Sequence, residues 1–171
     1  MADAATQRVW IEAALARYER PLVAYARSLT GDLQRARDIV QETFLRLWQQ
    51  DASAIVLAEW LFTVCRHLAI DSWRKERRMT IVAPEKMVAH PADTAPPDQQ
   101  LLANADQKRL GGLLATLTTA QQEVVRLKFQ QELSYKEIAH VMELSVSHVG
   151  VLLHQAMQRL RAAWKNEGSL Q

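Results

Sequence analysis

Residues 33–48 read LQRARDIVQETFLRLW, and no other stretch constrains the fold as much. Ala36, Ile39, Val40, Thr43, Phe44 and Leu47 recur at intervals of three and four. That spacing gathers side chains on one face of an α-helix and scatters them on a strand. A single helix of this length is marginal in water, so its apolar stripe must be buried against other elements. The opposite side carries Asp38, Gln41, Glu42 and Leu45, an acidic and amide patch with an apolar neighbour. Like charges at i, i+4 repel mildly, so Asp38 and Glu42 do not serve the helix as a pair. Arg35, Arg37 and Arg46 offset them. The patch is either a solvated face or a surface made for a partner.

The rest of the chain carries the same period. Only 5 Gly and 5 Pro occur among 171 residues, and the good helix formers are abundant, which predicts an all-α protein. A first helix is expected from about Thr6 to Leu29, with Val9, Trp10, Ala13, Leu15, Leu22, Val23, Ala26 and Leu29 facing inward. Pro21 should kink it or split it. Thr30 and Gly31 end it, and Asp32 suits the N-cap of the next helix. After a polar turn from Gln49 to Ser53, a third helix is expected over roughly Glu59 to Arg78. Four of the five prolines, Pro84, Pro91, Pro96 and Pro97, then fall in an aperiodic stretch. This reads as a linker, with an ordered loop packed between domains as the alternative.

The helical signal resumes with Leu101, Leu102, Ala105, Leu110, Leu113, Leu114 and Leu117. Thr118 can cap a helix running to about Phe129. Ser134 and Glu137 have capping-box spacing at the start of another, and Ser145 can cap a last helix reaching about Trp164. The expected organisation is two small helical domains, 1–79 and 101–171, joined by a Pro-containing linker over 80–100.

The last two helices, one short and one long across a tight turn, have helix-turn-helix form, with Ile138, Ala139, Met142, Val146, Val149, Leu153, Ala156 and Leu160 as the shared core. Such a unit places the N-terminal part of its second helix in the DNA major groove; a plain helical hairpin is the alternative. From Ser145 to Gln158 there is no Lys or Arg. Phosphate neutralisation must therefore come from flanking residues such as Arg126, Lys128, Lys136, Arg159 and Arg161. Base contacts would fall to Ser145, Ser147, His148, His154 and Gln155. His148 and His154 lie on different faces of the helix, which disfavours a metal.

In the third helix Leu61, Val64, Cys65, Leu68 and Ile70 read as core, as do Trp60 and Trp73 by default. Its end bears Arg74, Lys75, Arg77 and Arg78, four cations in five positions. That exceeds what a helix C-terminus needs for its dipole, and suggests a phosphate-contacting surface. The formal net charge of +2 is nearly neutral, so any basic surface is local. No phosphate-binding Gly loop, metal-ligand cluster or Ser–His–Asp set is present, so no catalytic residue, metal or cofactor is expected. One cysteine excludes an internal disulfide. No signal core or membrane span is read, so a cytoplasmic protein without membrane insertion is expected.

Three segments resemble the extracytoplasmic-function (ECF) sigma factors of bacterial RNA polymerase, in the sigma-70 family. The run from Arg37 to Trp48 is similar to their core-polymerase-binding segment. Trp60 to Arg78, with its Ala69-Ile70-Asp71, resembles the part that melts and holds the −10 element. Leu133 to Arg161 resembles the part that reads the −35 element. The resemblance implies a region 2 bundle followed by a region 4 helix-turn-helix. It also implies the partners: core polymerase through its β′ clamp helices and β flap, promoter DNA, and an anti-sigma factor. On this resemblance Asp38, Gln41, Glu42, Leu45 and Trp48 dock on the polymerase. Arg66, His67, Asp71, Arg74, Lys75, Arg77 and Arg78 serve the −10 element. Lys136, Ser145, Ser147, His148, His154, Gln155 and Arg159 serve the −35 element. The turn from Gln49 to Ala58 corresponds to the loop that captures a flipped base. The sequence departs from common family form in several places. Glu143 stands where many members have Gly. Gly150 and Leu152 stand where many have Lys or Arg, and His67 where many have Asn. A stand-alone regulator with a sensor domain, or an adaptor that binds polymerase but not DNA, remains open at this level.

Overall fold

The computed structural model describes residues 4–82 and 110–168, with side chains over 4–78 and 110–166. Among these residues every regular element is helical, and the chain divides into two units.

The first unit is a three-helix bundle of α1 (Ala4–Thr30), α2 (Leu33–Leu47) and α3 (Leu57–Val82), each touching the other two. All six residues of the α2 stripe are buried, and the Thr43 hydroxyl donates to the Ile39 carbonyl at 2.8 Å. The Asp32 carboxylate caps α2 by accepting from the Arg35 amide at 2.6 Å. Gly31, with φ of 73°, ends α1 in a left-handed turn that its lack of a side chain permits. α1 runs through Pro21 without interruption, so its inner face is one continuous stripe of Ile11, Ala14, Leu22, Tyr25 and Ala26. Val9 and Ala13, expected inside, are exposed. α3 contributes Leu61, Phe62, Cys65 and Ala69, with Phe62 edge-on to Tyr25 at 5.2 Å. Val64, Leu68 and Ile70 are only half-buried. Burial pushes the Cys65 thiol up to about 12, as expected of an apolar core.

α3 begins two residues before the expected Glu59 and extends to Val82, so the first residues assigned to a linker are helical. The remainder of that segment, with Leu101, Leu102 and Ala105, lies outside the described residues.

In the second unit, residues 110–115 are helical. They lead to α4 (Thr119–Val125), whose last turn is continued in wider π-helical winding over Arg126–Gln130. Then come α5 (Tyr135–Met142) and α6 (Val146–Gly168), and α4 packs on α6. The capping signals operate as read. Thr118 and Gln121 form a capping box, Ser134 and Glu137 exchange bonds of 2.7 and 3.2 Å, and Ser145 Oγ accepts from the His148 amide at 3.1 Å. Of the expected helix-turn-helix core, Ile138, Ala139, Met142, Val149, Leu153 and Ala156 are buried. Val146 is exposed and Leu160 half-buried, while Leu152 joins the buried stripe.

Candidate functional site

The side chains expected to dock on a partner lie on one stripe of α2. Asp38, Gln41, Leu45 and Trp48 follow one another by three or four residues and are all exposed, with Glu42 half-buried beside them. Leu45 is 58% and Trp48 53% exposed, large apolar groups presented to solvent from a helix whose other face is fully packed. The polar members are held in place. Asp38 accepts from Gln34 Nε2 at 3.1 Å, and Glu42 pairs with Arg46 at 2.8 Å. Gln7 Nε2 from α1 donates to the backbone carbonyls of Trp48 and Gln50, at 3.3 and 2.9 Å, tying down the end of α2. Apolar anchors ringed by polar groups on a rigid element have the make-up of a protein interface core and rim.

The end of α3 presents Asp71, Arg74, Lys75, Arg77 and Arg78 to solvent, with His67 exposed and Arg66 half-buried a turn or two before them. The one acid inside the cationic run, Glu76, is held by Arg35 of α2 through two bonds of 2.5 and 3.1 Å. The guanidinium keeps the Glu76 carboxyl below the usual carboxylate range, and the same bonds raise Arg35. Arg35 thus offsets the acid and fixes the cationic end of α3 against α2. Arg74 reaches Asp71 at 3.7 Å. Trp73, expected in the core, is instead 42% exposed, with the Arg77 guanidinium 4.7 Å from its ring centre. An aromatic ring among cations is a surface on which an unstacked base can lie. Periodicity does not signal this exposure, because Trp73 sits four residues after buried Ala69 and so falls on the same side of the helix.

Between α2 and α3 the Asp51 carboxylate accepts from the Ser53 amide and hydroxyl at 2.9 and 2.7 Å. These bonds hold Asp51 below its ordinary value. Leu57 and Ala58, expected in this loop, belong to α3.

In α6 the buried Val149, Leu152, Leu153 and Ala156 define one face. At 3.6 residues per turn the line opposite them is Ser147, Val151, His154 and Gln158, flanked by His148 and Gln155; all six are exposed. Val151 and Gln158 are absent from the sequence-derived set. Placing Leu152 in the buried stripe would have revealed them. Ser145 spends its hydroxyl on the cap. Gln155 and Arg159 are exposed but tied to buried Gln121 of α4, at 3.3 and 3.1 Å.

Two of the flanking cations turn inward. Lys128 donates to the Leu133 carbonyl at 3.1 Å and sits 5.6 Å from the Tyr135 ring centre, and burial pulls the Arg126 value down. Lys136, Arg159 and Arg161 stay exposed. Among the described residues no His, Cys, Asp and Glu cluster could hold a metal ion, and no helix is long and apolar enough to cross a membrane.

Residues 14–79 match the model for Sigma-70 region 2, and residues 113–162 that for Sigma-70 region 4. The chain is 31% identical over 148 residues to the ECF RNA polymerase sigma factor SigL of Mycobacterium tuberculosis, covering 84% of this chain and 82% of that one. It is 29% identical over 153 residues to SigM of Bacillus subtilis, covering 86% and 90%. In fold it is similar to the sigma factor RpoE of Bartonella quintana, solved in complex with the anti-sigma factor NepR, with a TM-score of 0.69, 23% identity, and 90% and 96% of the two chains covered. The region 2 match over residues 14–79 identifies the N-terminal bundle as a sigma region 2 rather than a sensor domain. The chain belongs to the ECF family of RNA polymerase sigma factors.

Proposed function

We propose that this sigma factor docks on core RNA polymerase through Asp38, Gln41, Glu42, Leu45 and Trp48 of α2. Like its family it is a transcription initiation factor, which binds core polymerase and directs promoter-specific initiation. Its residues divide the work by element. Arg66, His67, Asp71, Arg74, Lys75, Arg77 and Arg78 engage the −10 element, with Trp73 as an added platform. Lys136, Ser147, His148, His154, Gln155 and Arg159 engage the −35 element, with Ser145 starting the helix that carries them. RNA synthesis itself belongs to the polymerase. The protein acts in the cytoplasm, where the polymerase is, and an anti-sigma factor holds it inactive, as NepR pairs with RpoE in the solved relative.

The observation that supports the docking role is the α2 stripe: two large apolar side chains more than half exposed, set among an acid, an amide and an ion pair, on a helix rigidly packed from behind. The test is Asp38→Arg with Glu42→Arg. Both residues lie outside the core, so helical content should be unchanged apart from a few tenths of a kcal/mol lost with the Arg46 pair. Uncompensated charge in a desolvated interface costs about 2 kcal/mol or more, so affinity for core polymerase should fall by about 30-fold or more. Wild-type affinity in a pull-down or titration would remove the docking assignment.

A further inference from the structure

Val151 is the most central apolar group on the exposed face of α6. It is 51% exposed and lies between Ser147 and His154 on the line opposite the buried stripe. No packing role accounts for a β-branched side chain there, and Val is a poorer helix former than the residues usually placed on a helix surface. Apart from the imidazoles of His148 and His154, its surroundings are short. Ser145, Val146, Ser147, Gly150 and Val151 carry nothing beyond Cγ or Oγ on the first two turns, and Leu152 points inward. A long cation on the line of Ser147 and Val151 would hold the backbone away from base edges, whereas residue 150 lies about 100° to one side of Val151. With no such cation present, the backbone can approach the floor of the major groove closely. There a short apolar side chain has one complementary target, the C5 methyl of thymine.

We propose that Val151 reads a thymine in the −35 element by apolar contact with its C5 methyl. This rests on the −35 assignment of α6 above and adds the chemistry of recognition to it. Ser147 and His148, the neighbouring exposed groups near the start of the helix, offer hydrogen bonds to adjacent base edges. A site read in this way depends on close fit more than on charge, which matches the absence of Lys and Arg from residue 145 to residue 158.

The test uses the full chain bound to core polymerase. A promoter library randomised over the −35 region is selected for binding, and each thymine in the selected sequence is replaced in turn by deoxyuridine, which removes only the methyl. Losing one buried methyl should weaken binding about fourfold at one or two of these positions. With Val151→Ala that sensitivity should vanish at the same position, while the preference at other positions stays. Val151→Thr, which keeps a methyl, should retain part of it. If Val151→Ala shows undiminished methyl sensitivity, or if no thymine responds in the wild-type complex, the assignment of Val151 is overturned although the −35 role of α6 stands. If the wild-type complex selects no −35 sequence at all, the −35 assignment fails and Val151 falls with it.

Discussion

Single residues show where this chain departs from what its local conformation prefers. Glu143 occupies the turn between α5 and α6 with φ of 55°, and the Leu144 amide donates to the Ala139 carbonyl at 2.9 Å. That bond closes a Schellman turn, in which the left-handed position favours glycine. A side chain there costs about 1–2 kcal/mol, partly offset by the greater entropy that glycine loses on folding. Glu143→Gly should therefore stabilise the second unit by about 0.5–1 kcal/mol, read as a higher denaturation midpoint with unchanged slope. A lower midpoint would mean that the Glu143 side chain contributes more than its backbone strain takes away. The family tendency toward glycine at this turn was implied by the resemblance alone. The positive φ that explains it was not, since it is a property of how α5 and α6 meet. Burial of Cys65 was legible from its apolar helical neighbours, whereas exposure of Trp73 ran against its apolar character and became clear only with α1 and α2 in place.

At the scale of elements, the recognition helix α6 shows what a missing cation does. A Cβ built on Gly150 would lie 3.8 Å from the Tyr135 ring, ordinary van der Waals contact, so the position accepts a side chain. Gly150→Lys should raise affinity for −35 DNA at low salt and steepen the dependence of log K on log[salt] by about 0.9, as one more phosphate contact would. It should also stabilise α6 by roughly 0.7 kcal/mol through helix propensity. An unchanged salt slope would place residue 150 away from the phosphates. Leu152 differs from Gly150. It is 9% exposed and part of the packing stripe, so a cation at that position would have no route to DNA without repacking. Helix starts were legible because caps are bonds between residues three apart, as at Asp32, Thr118, Ser134 and Ser145. The continuity of α1 was not: Pro21 is a helix breaker locally, and packing of Leu22, Tyr25 and Ala26 in the bundle outweighs the lost bond.

For the molecule as a whole, the proposed tasks fall on separate helices, α2, α3 and α6, so they should fail separately. Arg74→Ala with Arg77→Ala should leave core binding and −35 preference intact, lower the yield of open complex several-fold at moderate salt, and flatten its salt dependence by about 1.4–1.8, the share of two phosphate contacts. Permanganate reactivity of the −10 thymines measures this directly, and normal opening would exclude the basic end of α3 from the −10 role. By itself the sequence determined the all-helical class, the caps, the six buried residues of α2 and the resemblance to sigma factors. These depend on periodicity and on interactions within a turn or two of helix, which a single sequence displays. Only the tertiary structure decided which polar groups are free to act. Gln121 holds Gln155 and Arg159 from more than thirty residues away, Arg35 holds Glu76, Lys128 bonds inward, and Val151 is left at the centre of the exposed face of α6. Burial and hydrogen bonding between distant residues follow from how helices pack, and no local pattern encodes which of several similar side chains is turned in and which is left outside.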